Sequence, residues 1–222
     1  MAHTKESIHK EIDDALTSPG TLYRQPFTKR AGHQQRLSEI AAAELRRRSQ
    51  ELTVPKSKRG SGHYSEDRAK LADDAKKKRP QKYTQEKWDA RVMLGQVFDD
   101  IGEIIDFETP LVEAGRSKEN VDLLAYNKDT NTLTLLEYKT KENREPLLRC
   151  VLEIFTYGQR INEKKFLADF NKSPFQVPID AKIRTAVFVH KDSKPYKHFH
   201  QGENTEIRRL MRELKVDFFA IE

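Results

Sequence analysis

Along the chain, stretches whose apolar residues return every third or fourth position alternate with short runs that are almost continuously apolar. The first kind reads as amphipathic helix, the second as buried strand. Ile8, Ile12 and Leu16 predict a helix over Lys5–Thr17, ended by Ser18-Pro19-Gly20. Leu37, Ile40, Ala41, Leu45 and Leu52 predict a second over Gln34–Leu52, with its arginines mostly on the other side. Glu66–Lys78 reads as a charged helix with little apolar face, not expected to pack alone. From Thr84 to about residue 102, Trp88, Val92, Met93, Leu94, Val97, Phe98 and Ile101 predict a further helix. A strand follows from Ile104 to about Leu111, then strands holding Asp122 and Glu137, then a helix opened by Glu145-Pro146 that runs to about Asn162. After a break at Pro174–Pro178, Ile183–His190 is a strand, Lys191–Gly202 a polar loop, Thr205–Leu214 a helix and Val216–Ile221 a last strand. This order implies an α/β fold with a mixed central sheet flanked by helices on both faces.

The two middle strands carry the candidate chemistry. Asn120-Val121-Asp122-Leu123-Leu124-Ala125-Tyr126 and Leu133 to Lys139 flank Asn127-Lys128-Asp129-Thr130-Asn131, a segment of turn-forming residues, so the pair reads as a β-hairpin. A loop over 128–131 sets Asn127 opposite Thr132, and counting back sets Asp122 opposite Glu137. Opposed residues share a face, and Lys139, two residues beyond Glu137, shares it too. Two carboxylates so placed repel each other and resist burial unpaired. A divalent cation relieves both problems. Mg²⁺ takes oxygen ligands, and the Tyr138 carbonyl between the two charged side chains can add one to Asp122 and Glu137. Lys139 could then steady an attacking water or the charge building on a phosphate. The plainer alternative is a solvated Glu137–Lys139 pair at a strand end.

Composition adds bounds. The chain has 222 residues, enough for one domain with appendages or two small ones. At 36% hydrophobic and 34% charged, it implies a modest core and a highly charged surface. The net charge of +6 is unevenly placed. Residues 1–79 hold 18 Lys/Arg against 11 Asp/Glu, whereas residues 80–222 hold 23 against 24. The division expected is therefore a basic helical N-terminal arm over 1–79 and an α/β domain over 80–222. The clusters Arg46-Arg47-Arg48, Lys56-Ser57-Lys58-Arg59 and Lys76-Lys77-Lys78-Arg79 could attract phosphate backbones without reading sequence, or be merely solvated. The arm is expected to pack on the main domain, on a second copy in a homodimer, or on nucleic acid. No apolar run is long enough to span a bilayer, and Met1-Ala2-His3-Thr4-Lys5-Glu6 has no apolar signal core, so a cytoplasmic protein without membrane contact is expected. Cys150, the only cysteine, excludes an internal disulfide and reads as a core thiol.

Val121-Asp122, a turn, and Glu137-Tyr138-Lys139 together resemble the PD-(D/E)XK motif of the restriction-endonuclease-like nuclease superfamily, with Val121 in place of the usual proline. The resemblance spans about residues 82–222. It implies the αβββαβ core of that superfamily, binding of Mg²⁺ or Mn²⁺, and metal-dependent hydrolysis of nucleic acid, here taken as DNA. Many members carry Gln-x-x-x-Tyr on the helix after the motif. Glu153 and Tyr157 hold that spacing here, so the first position is a carboxylate that could meet the metal directly or through water, while Gln159 does not fit the spacing. Glu86, Asp89 and Asp99 are candidates for a further acidic residue from the first helix, with Asp89 favoured and Glu108 of the next strand another option. Lys141, Arg144 and Arg149 follow the motif closely and could meet phosphates flanking the scissile bond, or be solvated charges.

Other motifs carry less. His190, His198 and His200 lie close together, but without an acidic or cysteine partner at ligand spacing they do not read as a zinc site. Lys58-Arg59-Gly60-Ser61-Gly62-His63 lacks the spacing of a phosphate-binding loop and reads as linker. Two other classes of function stand beside the nuclease: a catalytically inactive nuclease-fold module for nucleic-acid binding or assembly, and an oligomer scaffold built from the N-terminal helices.

Overall fold

Thr4 caps the first helix: its hydroxyl accepts from the Ser7 amide at 3.2 Å while its own amide donates to the Ser7 hydroxyl at 2.9 Å. From there the computed structural model describes residues 4–29, 34–56, 73–74, 84–111, 119–203 and 205–222. The helices are α1 (Lys5–Leu16), α2 (Pro26–Lys29), α3 (Gln35–Arg47), α4 (Gln85–Val92), α5 (Leu147–Arg160), α6 (Glu163–Asn171), α7 (Lys194–Phe199) and α8 (Glu206–Leu214). A 3-10 turn, Pro19–Arg24, joins α1 to α2, and another, Ser49–Glu51, follows α3. The strands are β1 (Val97–Phe98), β2 (Gly102–Pro110), β3 (Asn120–Asn127), β4 (Thr132–Lys139), β5 (Lys182–His190) and β6 (Val216–Ile221). They form one mixed sheet in the order β1-β2-β3-β4-β5-β6, antiparallel as far as β4, with β5 and β6 parallel to it.

Side chains alternate across the sheet, so each face has its own apolar layer. On one face Leu124, Tyr126, Leu133, Leu135, Val187 and Val189 pack with residues of α1, α3, α5, α6 and α8. On the other, Leu123, Ala125, Leu136, Tyr138, Ala186 and Phe188 pack with Ala90 and Met93 at α4. The first layer includes Ile8, Ile12, Leu22, Tyr23, Phe27 and Leu45, so the N-terminal segments share the core of the sheet. Of the three placements expected for that segment, its described residues take the first, packing on the main domain.

The structure departs from the periodicity in several places. Helix α3 gives way to a 3-10 turn before Leu52, which is still buried. The helix expected through residue 102 stops at Val92. Gly95 takes φ +79°, and its amide bonds the Ile104 carbonyl at 2.8 Å. Val97 and Phe98 then pair with β2, which leaves Val97 71% exposed instead of in the core. The expected loop after β5 contains α7, capped by Ser193 with Pro195 in its first turn. Helix α6, capped by Asn162, buries Phe166, Leu167 and Phe170 where no element was expected. The charged helix over Glu66–Lys78, the glycine-bearing linker and the cluster at residues 76–79 lie outside the described residues, apart from Asp73 and Asp74. The Arg46–Arg48 cluster is committed to carboxylates: Arg46 to Glu206, Arg47 to Glu44, and Arg48 to Glu51 and Asp13.

Candidate functional site

The β3–β4 turn sets the register on which the site depends. The Thr130 amide donates to Asn127 Oδ1 at 3.1 Å, and Asn131 adopts φ +47°, a left-handed conformation that asparagine tolerates. Asn127 then pairs with Thr132, and the ladder runs back to Leu123 opposite Leu136. One step further, Asp122 stands across from Glu137. There the side chain takes over from the ladder: Asp122 Oδ2 accepts the Tyr138 amide at 3.0 Å. Glu137 and Lys139 have the parity of Leu133 and Leu135, and Asp122 that of Leu124, so all three project to the face covered by α5.

They meet at a cavity of about 360 Å³ near the end of the hairpin. Asp122, Glu137 and Lys139 line it with Glu86, Glu108, Glu145, Arg149, Glu153 and Tyr157. Lys139 Nζ lies 2.8 Å from Glu137, 2.9 Å from Glu145 and 3.5 Å from Glu86. Arg149 pairs with Glu145 at 2.8 Å and stands 3.7 Å from Glu153. The Tyr157 hydroxyl donates to Glu153 at 2.9 Å. Lys87 and Arg91 hold Glu108 at 2.7 and 2.6 Å.

The electrostatics follow from burying unequal numbers of charges. Asp122, Glu137, Glu145, Glu153 and Glu86 face Lys139 and Arg149. Burial pushes the Asp122 carboxyl up to about 7, with Glu86 and Glu153 adding to the shift and Lys139 opposing it. Glu137 is raised well above the carboxylate range by burial, then by Asp122 and Glu153, against the pull of Lys139. Glu153 is raised by burial, against Lys139 and Arg149. Glu145 goes the other way, because Lys139 and Arg149 outweigh its burial. For Lys139 burial favours the neutral amine, but Glu137 and Asp122 overcome it and hold the proton firmly.

The expected residues divide accordingly. Asp122, Glu137, Lys139, Glu153, Tyr157 and Arg149 come together. Tyr138 sends its side chain to the opposite face, where its hydroxyl reaches Asp89 at 3.3 Å, so Asp89 is not the acidic residue that α4 brings to the cavity. Glu86, at the start of α4, is. Asp99 is exposed and away from the cavity, while Glu108 lines it. Lys141 pairs at the surface with Asp192 at 2.8 Å, and Arg144 is exposed. Sequence reasoning missed Glu145 and Asn143, whose amide donates to Glu86. Glu145 had a signal, its position four residues before Arg149; Asn143 had none.

Among the described residues no group of three or more His, Cys, Asp or Glu side chains stands arranged to hold a metal ion. His198 faces Glu39 at 3.3 Å, and His200 lies against the Tyr196 ring at a tilt of 45°. Cys150 is buried on α5, and burial keeps its thiol protonated. No helix among the described residues is long and apolar enough to cross a membrane. Comparison with protein-family models, with curated proteins and with solved structures finds no match.

Proposed function

We propose that the chain is a divalent-cation-dependent nuclease that hydrolyses DNA phosphodiester bonds at this cavity, on a restriction-endonuclease-like αβββαβ core. The observation that carries the reading is Asp122 set opposite Glu137, with Lys139 beside them at the end of a buried hairpin. Carboxylates this close, with their proton affinities raised by burial, gain from a hard cation, and their oxygens suit Mg²⁺ or Mn²⁺. Asp122, Glu137 and the Tyr138 carbonyl would hold it, and Glu153, which lines the same cavity, would meet it directly or through water. When bound, such an ion polarises water and neutralises charge on the phosphate.

The chain's own groups then divide the remaining work. The Tyr138 amide fixes the rotamer of Asp122. Glu145 and Glu86 hold Lys139 at the cavity beside Glu137, and the ammonium, which holds its proton, would stabilise charge developing on the phosphate oxygens. Arg149 offers a forked donor to a neighbouring phosphate. DNA as the substrate class follows from the motif resemblance and from the basic excess over residues 1–79.

One observation favours a second reading. The Lys139 ammonium, 2.8 Å from Glu137, neutralises that carboxylate without any metal. A nuclease-fold module that binds nucleic acid or assembles without cutting fits this arrangement. Supercoiled plasmid incubated with Mg²⁺ or Mn²⁺ separates the two. The wild type is expected to nick it, and Asp122→Ala to do so at least about 100-fold more slowly, the scale of losing several kcal/mol of charge stabilisation. Equal cleavage by both proteins overturns the proposal, and salt-dependent binding with no cleavage supports the second reading.

A further inference from the structure

Three carboxylates surround the Lys139 ammonium, and they come from three parts of the chain. Glu137, two residues earlier on β4, lies at 2.8 Å; Glu145, in the loop before α5, at 2.9 Å; and Glu86, in the first turn of α4, at 3.5 Å. The strand itself places Glu137. The other two need something else, because residues 140–146 form neither helix nor strand and Glu86 stands 57 positions before Asn143. Asn143 is what these two have in common. Its side-chain amide donates to Glu86 Oε1, the same oxygen that faces Lys139, and its side-chain oxygen accepts the Glu145 amide at 2.7 Å. Its backbone is engaged as well. The N–H donates to the Thr140 carbonyl at 3.1 Å, and the carbonyl accepts the Lys194 amide at the start of α7 at 3.2 Å. Each of its four polar atoms therefore has its own partner.

An ammonium carries three donors on a flexible stem, so its acceptors decide where it sits. Lys139 is buried, and those acceptors are the three carboxylates. Asn143 sets two of them by different means. Its oxygen, taking the amide two residues on, closes a turn that fixes the backbone at Glu145 and so the base from which that carboxylate reaches Lys139. Its amide tethers Glu86 to the loop with a neutral donor, whereas a cation there would compete with Lys139 for the same oxygen. We infer that Asn143 is a positioning residue for the candidate site: through the Glu86 carboxylate and the Glu145 backbone it sets two of the three acceptors that hold the Lys139 ammonium at the cavity. Its bearing on cleavage rests on the function proposed above, but the hold on Lys139 does not.

Two substitutions separate the two arms. Asn143→Ala removes both side-chain bonds and leaves both backbone bonds in place. Asn143→Ser is too short to reach Glu86, yet its hydroxyl can still accept the Glu145 amide. In protein carrying ¹⁵N-labelled lysine, the Lys139 Nζ resonance, identified by its loss in Lys139→Arg, reports the hydrogen bonding of the ammonium. It is expected to shift in Asn143→Ser and further in Asn143→Ala. The backbone amide resonances of the paired Leu124 and Leu135 are expected to stay in place. The melting temperature of Asn143→Ser should fall by only about 2–4 °C, the scale of one lost hydrogen bond in a chain of this size. In the plasmid assay Asn143→Ala is expected to lower kcat about tenfold, as loss of an outer support to a site does, with KM little changed, and Asn143→Ser to lose less. If the alanine variant does not fold, the serine variant decides alone. A Lys139 resonance that stays in place in a folded variant overturns the inference, whatever the cleavage result, and so does an undiminished kcat in a variant whose resonance has moved. A resonance that moves in proteins none of which cuts, wild type included, leaves the hold on Lys139 standing and removes the nuclease reading.

Discussion

Asp122 carries the most direct consequence of burying like charges together. Its carboxyl titrates near 7 in the folded chain against 3.8 for the free side chain. The folded state holds the proton more tightly, so the stability tied to this group is present below about pH 4 and is lost as pH rises through 7. Asp122→Asn removes the charge, while its side-chain oxygen can still accept the Tyr138 amide. The variant is expected to be more stable than wild type at pH 8, on the order of 2 kcal/mol, and to show no gain at pH 4. Urea midpoints at the two pH values check this, and an equal shift at both contradicts the account. This part of the site was legible in the sequence because a short turn fixes the strand pairing and a period of two then assigns the faces. Glu86 and Asp89 were not separable in that way. They lie three residues apart on α4, and which one reaches Lys139 depends on how the helix docks over the sheet end.

Among the elements, those with strong periodicity were found and the short ones were not. Helix α5 announces itself through Leu147, Leu148, Val151, Leu152, Ile154 and Phe155, all buried. Helix α6 had a readable sign in Phe166, Leu167 and Phe170 at helical spacing after Asn162, but its nine residues follow α5 almost without a break. Strand β1 has two residues and no periodicity to read. It owes its place to two glycines at positive φ, Gly95 and Gly102. Gly102 has φ +87°, and a Cβ there would lie 2.3 Å from the Tyr126 carbonyl oxygen, a backbone atom that cannot swing aside. Gly102→Ala is therefore expected to cost about 2–4 kcal/mol, the range of strained backbone combined with overpacking. A urea unfolding curve measures it, and a loss under about 0.5 kcal/mol would mean that the β1–β2 corner can relax. Gly95, also at positive φ, has open space around it, and its alanine variant is expected to cost less.

For the molecule as a whole, the charge division between residues 1–79 and 80–222 is a property of composition, while the apolar layer runs across it. Leu45 on α3 and Ile8 and Ile12 on α1 are buried in the layer that holds Leu148 and Val187. Cooperative unfolding is the expected outcome. Leu45→Ala should cost about 2–5 kcal/mol, and it should move the fluorescence transition of Trp88, the only tryptophan, together with the far-ultraviolet transition. If the Trp88 transition stayed while the helical signal moved, the N-terminal helices would be unfolding on their own. Periodicity could place these helices but not dock them, because their apolar stripes name no partner. Charge counting has a related blind spot: Arg46 is counted as basic surface until the fold brings Glu206 to it.

That contact has a temporal side. Arg46 on α3 and Glu206 on α8 are separated by 160 positions, and the two helices pack directly on one another. Closing so long a loop costs entropy before the contact repays it, so assembly is expected to be slow for a chain this size. Until α8 arrives, the part of α3 that packs on it stands uncovered. The stage at which this chain is most exposed to aggregation therefore lies late in its assembly, with the hairpin already formed and the α3 stripe still waiting for its cover.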